Sequence, residues 1–154
     1  MSERKERTDL LGLANFGIFL ILIGLIVATT PNLVEGVADF LRSFNLTEVA
    51  PNVLLPIPGL DHPVVFGAVY QFCLYFGILQ IPMLAARFIL KDTPRRTAST
   101  AMGIVFWLGA AWLLSLIITK NITSWLIFVG YIIALVGIAI VVENVIVLMT
   151  RKRD

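Results

Sequence analysis

Residues Ile122 to Thr150 form a nearly unbroken apolar run that ends in the basic triplet Arg151-Lys152-Arg153. A run of about 18 or more apolar residues with almost no charge is long enough to cross a bilayer as a helix. In lipid such a segment must pair its backbone polar groups internally, which leaves helix as the available form. Further apolar runs lie at about 10–29, 63–90 and 100–118. Soluble domains carry about 25% charged residues; this chain of 154 residues carries 14%, with 58% hydrophobic. The expected fold is an all-α integral membrane protein. Its four-helix transmembrane bundle would form a single membrane domain over residues 1–154.

Each segment adds a local expectation. Arg4, Lys5 and Arg7 precede the first span, whose apolar run exceeds the roughly 7–15 residues of a signal-peptide core, so it reads as uncleaved. Asn15 lies inside this span, and Gly17, Gly24 and Ala28 offer a small-residue face for close helix packing. Thr30-Pro31 suits a helix start. Leu33, Val34, Val37, Phe40, Leu41 and Phe44 then share one stripe, giving an amphipathic helix at about 31–44. It is too short to span, so it lies in the interface or packs across the bundle mouth. Residues 45–63 contain Pro51, Pro56, Pro58 and Pro63 and read as an extended, stiff linker.

In the second span, Phe66, Cys73, Gln80 and Arg87 recur every seven residues and share a face. Pro82 frees the Ile78 carbonyl, for which Gln80 is a possible donor. Lys91 to Ser99 reads as a polar loop, and Gly103, Gly109, Ala110 and Ala111 suit close packing in the third span. Lys120-Asn121 marks a tight turn into the fourth span, where Gly130 and Gly137 are expected to form the packed face.

Charge sets the orientation. All but two of the 12 basic residues fall at the N-tail, around Arg87, Lys91, Arg95 and Arg96, or at the C-tail. Only Arg42 and Lys120 lie at the opposite ends of the spans. The positive-inside rule then places both termini in the cytoplasm and the amphipathic helix outside. Two glycosylation triplets, at Asn45 and Asn121, fall on that outer side.

Polar groups inside the spans are the candidate site residues: Asn15, Gln71, Gln80, Arg87, Glu143 and Asn144. At about 1.5 Å per residue, Asn15, Gln80, Glu143 and Asn144 fall roughly 7–12 Å inside the inner boundary and could form one polar layer; a span of about 20 residues counted from Trp125 places Glu143 close to the inner interface instead. Glu143 is the acid inside an apolar run, with Arg87 at matching depth as its expected partner. Asn144, nearer the glycine face, is expected to make an interhelical hydrogen bond. A helix-start charge accounts for Asp61 beside the sole histidine, His62. Cys73 reads as a small buried hydrophobe.

These features favour a protein without catalytic machinery, cofactor or metal, acting as a structural or accessory subunit of an assembly in the cell membrane. Its expected partners are the lipid bilayer and other membrane-protein subunits, or further copies of itself. A transporter or channel for an ion or small polar solute, expected to be oligomeric, is the alternative, with Asn15, Gln71, Gln80 and Glu143 lining the path. A lipid-acting enzyme using His62 as base ranks third. Neither a basic stripe nor the aromatics of a nucleic-acid interface is present.

Overall fold

A computed structural model describes the backbone of residues 2–151; the side chains of residues 1–9, 49 and 151–154, including both basic tails, lie outside the described residues. In chain order the elements are α1 (Ser2–Thr29), α2 (Leu33–Arg42), β1 (Asn45–Ala50), β2 (Val53–Ile57), α3 (Pro63–Ile89), α4 (Pro94–Ile118) and α5 (Trp125–Arg151). Four of these, α1, α3, α4 and α5, are long and apolar enough to cross a membrane. They run up and down. One end of the molecule carries the start of α1, the α3–α4 turn and the end of α5. The other carries α2, the strands and the α4–α5 turn.

The spans pack as an open row. The broadest interface joins α3 to α4; α1 packs on α3, and α5 packs on α4. α1 and α5 share no substantial interface. Lipid tails are as apolar as leucine, so helices associate in a bilayer through close packing rather than through burial from water. Three glycines make that packing possible here. A Cβ on Gly77 would stand 2.7 Å from Leu108 Cδ2, and one on Gly103 would stand 2.6 Å from Gln80 Oε1. A Cβ on Gly109 would collide with Leu135 of α5. Ala110 and Ala111 are buried in the same core, as their small size suggested.

The other glycine faces point away. Gly17, Gly24, Gly130 and Gly137 have nothing within 4 Å of an added Cβ. α5 instead turns Phe128, Leu135 and Ala139 inward, and α1 buries Leu22 and Ile26. Bulky side chains fill the intramolecular seams because the outer helices have only one neighbour each. Phe19 joins α1 to α3 by edge-to-face contacts with Phe72 (5.4 Å) and Phe76 (5.7 Å). Trp107 of α4 closes the cluster against the same two rings, at 5.5 and 5.2 Å.

Several boundaries differ from expectation. Thr30 does not cap α2; its N–H bonds the Ile26 carbonyl at 2.9 Å and so finishes α1. α2 starts after Asn32, which is left-handed at φ 57. α2 packs on α3 through the Gly36 edge, where Val64 and Val65 lie 3.5 Å from an added Cβ. Phe40 reaches the rings of His62 and Phe66. The rest of the stripe stays open, with Val34, Val37, Leu41 and Phe44 exposed.

The expected linker contains an antiparallel hairpin, β1 against β2. Pro51 and Asn52 make its turn: proline presets φ at the first central position, and Asn52 takes φ 63 at the second. A one-residue irregularity lies between Glu48 and Ala50. Pro56 is tolerated because both strands of a two-stranded sheet are edges. Ser43 Oγ bonds the Phe40 carbonyl (2.7 Å) and receives the Gly59 N–H (3.2 Å), tying the hairpin's far end to α2.

The expected polar loop is mostly helix. Thr93 is extended and Pro94 takes the first helical position, so α4 begins six residues before Thr100. α3 ends in a Schellman turn, with Lys91 left-handed at φ 49. Its two bonds run from Lys91 N to Phe88 O (3.1 Å) and from Asp92 N to Arg87 O (3.0 Å). Lys120 repeats the device at the end of α4, with φ 58.

Candidate functional site

The seven-residue repeat on α3 does form one buried face. Phe66, Cys73 and Gln80 are each at most 6% exposed, and the Arg87 side chain is 11% exposed. The lower part of this face, Gln80 to Arg87, borders a crevice of 480 Å³ between α1, α3 and α4. Gly12 and Asn15 come from α1, Phe76, Gln80 and Arg87 from α3, and Arg96, Ser99, Thr100, Gly103 and Trp107 from α4. Phe76 and Trp107 belong to the aromatic cluster described above, so the crevice has a polar floor and an aromatic roof.

Gln80 reaches this space because Gly103 lacks a side chain. Its carboxamide has no hydrogen-bond partner among the described residues. It does not serve the Ile78 carbonyl, as Pro82 had suggested, but extends across to α4. Thr100 Oγ1 donates to the Arg96 carbonyl at 3.0 Å, inside its own helix.

Arg87 does not pair with Glu143. Its Nη1 donates to Asp92 Oδ2 at 2.9 Å, and both side chains are nearly buried. The Schellman turn explains the choice: it folds Asp92 back beside Arg87, only five residues away, without any search across helices. Asp92 Oδ1 also accepts the Thr93 N–H at 2.7 Å, so one carboxylate ends α3 and starts α4. Arg87 Nε is buried without a hydrogen-bond partner among the described residues.

The expected polar layer is thus split. Asn15, Gln80 and Arg87 come together, whereas Glu143 and Asn144 sit on α5, across α4 from the crevice. Glu143 has no ion-pair or hydrogen-bond partner among the described residues. Asn144 Nδ2 donates to the Ile140 carbonyl of its own helix at 2.8 Å, not to another helix. Its face is outward because Gly130 and Gly137 face outward. Gln71 is exposed on α3. Arg96 and Ser99 were hidden by reading 91–99 as loop; the Thr93-Pro94 pair is the signal that would have placed them on a helix.

At the opposite end, Asp61 and Lys120 approach to 3.6 Å with both side chains largely exposed. They border a second, mainly apolar cleft of 590 Å³ that includes Phe66, Ile117 and Trp125. His62 is outside that cleft's lining and stacks edge-on against Phe40 at 5.4 Å. Among the described residues, no three His, Cys, Asp or Glu side chains are grouped to hold a metal ion. The chain matches no protein-family model, no curated protein and no solved structure.

Proposed function

We propose that this protein is a non-catalytic accessory or scaffolding subunit of an assembly in the cell membrane. The observation that carries this reading is the pair of vacant glycine faces, Gly17 and Gly24 on α1 and Gly130 and Gly137 on α5. They lie on the two outermost spans and face away from the chain's own helices. In lipid, small residues at this spacing let another helix approach closely. Both termini are cytoplasmic in this reading, following the basic clusters. α2 and the hairpin are external, and the open stripe of α2 lies in the outer interface.

The transporter alternative has less support. The polar crevice would be its natural vestibule, but Phe72, Phe76 and Trp107 fill the core directly above it. Photo-crosslinking residues placed at Gly24 and Gly130 in living cells test the subunit reading. The expected result is a discrete adduct with one membrane protein or with a second copy of this chain. Adducts with lipid alone at both positions would overturn it.

A further inference from the structure

The cleft at the opposite end of the bundle from the polar crevice has a charged rim over an apolar interior. Its volume is 590 Å³, within the roughly 300–1,000 Å³ of small-molecule sites. Phe66 and Ile117, 6% and 5% exposed, form its depth, and Ile118 and Trp125 carry the apolar wall outwards. Asp61 and Lys120 stand at the rim, 3.6 Å apart. The backbone fixes both walls. On one side Pro58 and Pro63 set φ around Gly59, whose N–H is held by Ser43 Oγ at 3.2 Å. On the other, Lys120 is left-handed at φ 58, and the N–H groups of Lys120 and Asn121 bond the Ile117 and Leu116 carbonyls at 2.9 Å each. A cleft framed in this way loses little freedom when it is filled.

The rim selects its occupant by charge. The Lys120 and Asp61 side chains are 81% and 95% exposed, and an ion pair that open holds its members only weakly. At 3.6 Å the contact is longer than a hydrogen bond, so the ammonium protons and both carboxylate oxygens can still engage a ligand. A net anion drawn to Lys120 is repelled by Asp61, and a net cation drawn to Asp61 is repelled by Lys120. A group carrying both charges closes a ring of alternating sign with the pair, which acts as a unit.

Position supplies the body of that ligand. The rim lies where α3 begins and α4 ends, and Trp125 opens α5 beside it. Indole rings are favoured at the membrane–water boundary, so the charges stand at headgroup level with the apolar wall below them. Charge above and hydrocarbon beneath is also the order of polarity along a phospholipid.

We infer that this cleft seats the zwitterionic headgroup of one phospholipid, with Lys120 Nζ donating to a phosphate oxygen and the Asp61 carboxylate facing the headgroup cation. The glycerol portion lies over Phe66 and Ile117, and the acyl chains leave past Ile118, which is 43% exposed on α4.

The test uses the full chain in a non-ionic detergent, with native mass spectrometry counting bound lipid. Phosphatidylethanolamine, phosphatidylcholine and phosphatidylglycerol are added in separate arms. One saturable site is expected, about fivefold tighter for a zwitterionic lipid than for phosphatidylglycerol, the scale of one exposed ion contact. Tighter binding of phosphatidylethanolamine than of phosphatidylcholine assigns a hydrogen bond from the ammonium to Asp61; equal binding of the two assigns recognition to charge alone. Asp61→Lys leaves a doubly basic rim and should turn the preference towards phosphatidylglycerol. Lys120→Asp leaves a doubly acidic rim and should weaken all three lipids. The two changes combined restore a mixed rim and should restore the zwitterionic preference. Both side chains are exposed, so these variants are expected to fold. Equal affinity of the unaltered chain for all three lipids overturns the site, as does a preference that neither single variant changes.

Discussion

Gln80 Oε1 lies 2.6 Å from the point where a Cβ of Gly103 would stand, so the α3 amide occupies space that α4 leaves vacant. The same interface holds Gly77 against Leu108, and the next holds Gly109 against Leu135. The three sites differ in what must move when a methyl is added.

Alanine substitutions at these glycines should therefore rank. At Gly77 the Cβ meets Leu108 Cγ at 2.9 Å and the Leu108 backbone nitrogen at 3.3 Å, so the helices themselves must separate. At Gly109 the buried Leu135 side chain must repack. At Gly103 the free end of Gln80 can swing aside. Overpacking costs about 1–3 kcal/mol, with Gly77→Ala expected at the top and Gly103→Ala at the bottom. Thermal unfolding in one detergent measures the order. A larger loss for Gly103→Ala than for Gly77→Ala would contradict it.

Arg87 and Asp92 should behave as a coupled buried pair. Arg87→Gln and Asp92→Asn each strand a charge, and removing one partner of a buried pair costs about 3–5 kcal/mol. The double variant should recover part of the loss. Glu143→Gln, with no described partner to strand, should leave the unfolding midpoint nearly unchanged. Strictly additive losses for Arg87 and Asp92 would refute the coupling.

The hairpin turn depends on Asn52 at φ 63. Asn52→Gly should preserve the hairpin, because glycine accepts positive φ without strain. Asn52→Val should destabilise it by about 1–2 kcal/mol. Hydrogen exchange at Thr47 and Leu55, which pair across the strands, reports the difference. Equal protection in the two variants would contradict the turn geometry.

Orientation is open to cysteine labelling in a Cys73→Ala background. Thr47→Cys in β1 is expected to react with a membrane-impermeant maleimide on intact cells. Ser99→Cys near the start of α4 should react only after permeabilisation. The reverse pattern would invert the topology.

The four spans were legible because apolar length survives any detail of packing. The Phe66, Cys73, Gln80 and Arg87 face was legible too, since α3 lies between two neighbours and turns this one face towards them. Partners across helices were not. Glycine spacing gives the same signal whether a face meets its own chain or a foreign helix, so Gly109 and Gly130 look alike in sequence. Arg87 was assigned by depth alone, and depth cannot see that a left-handed Lys91 folds Asp92 back. The hairpin was obscured by its prolines, which argue against a central strand but not against an edge.

The row of spans also bears on how the chain is made. α1 rests on α3, α3 on α4 and α4 on α5, so every span's partner is the one synthesised just before or just after it. Contacts between sequence neighbours form quickly, and synthesis releases the amino-terminal portion first. Each helix leaving the insertion machinery finds its docking surface already in the bilayer, and none must be stored until the carboxyl terminus appears. A nascent chain extended far enough past Ile118 for α4 to clear the ribosome would already hold α1, α3, α4 and the crevice between them.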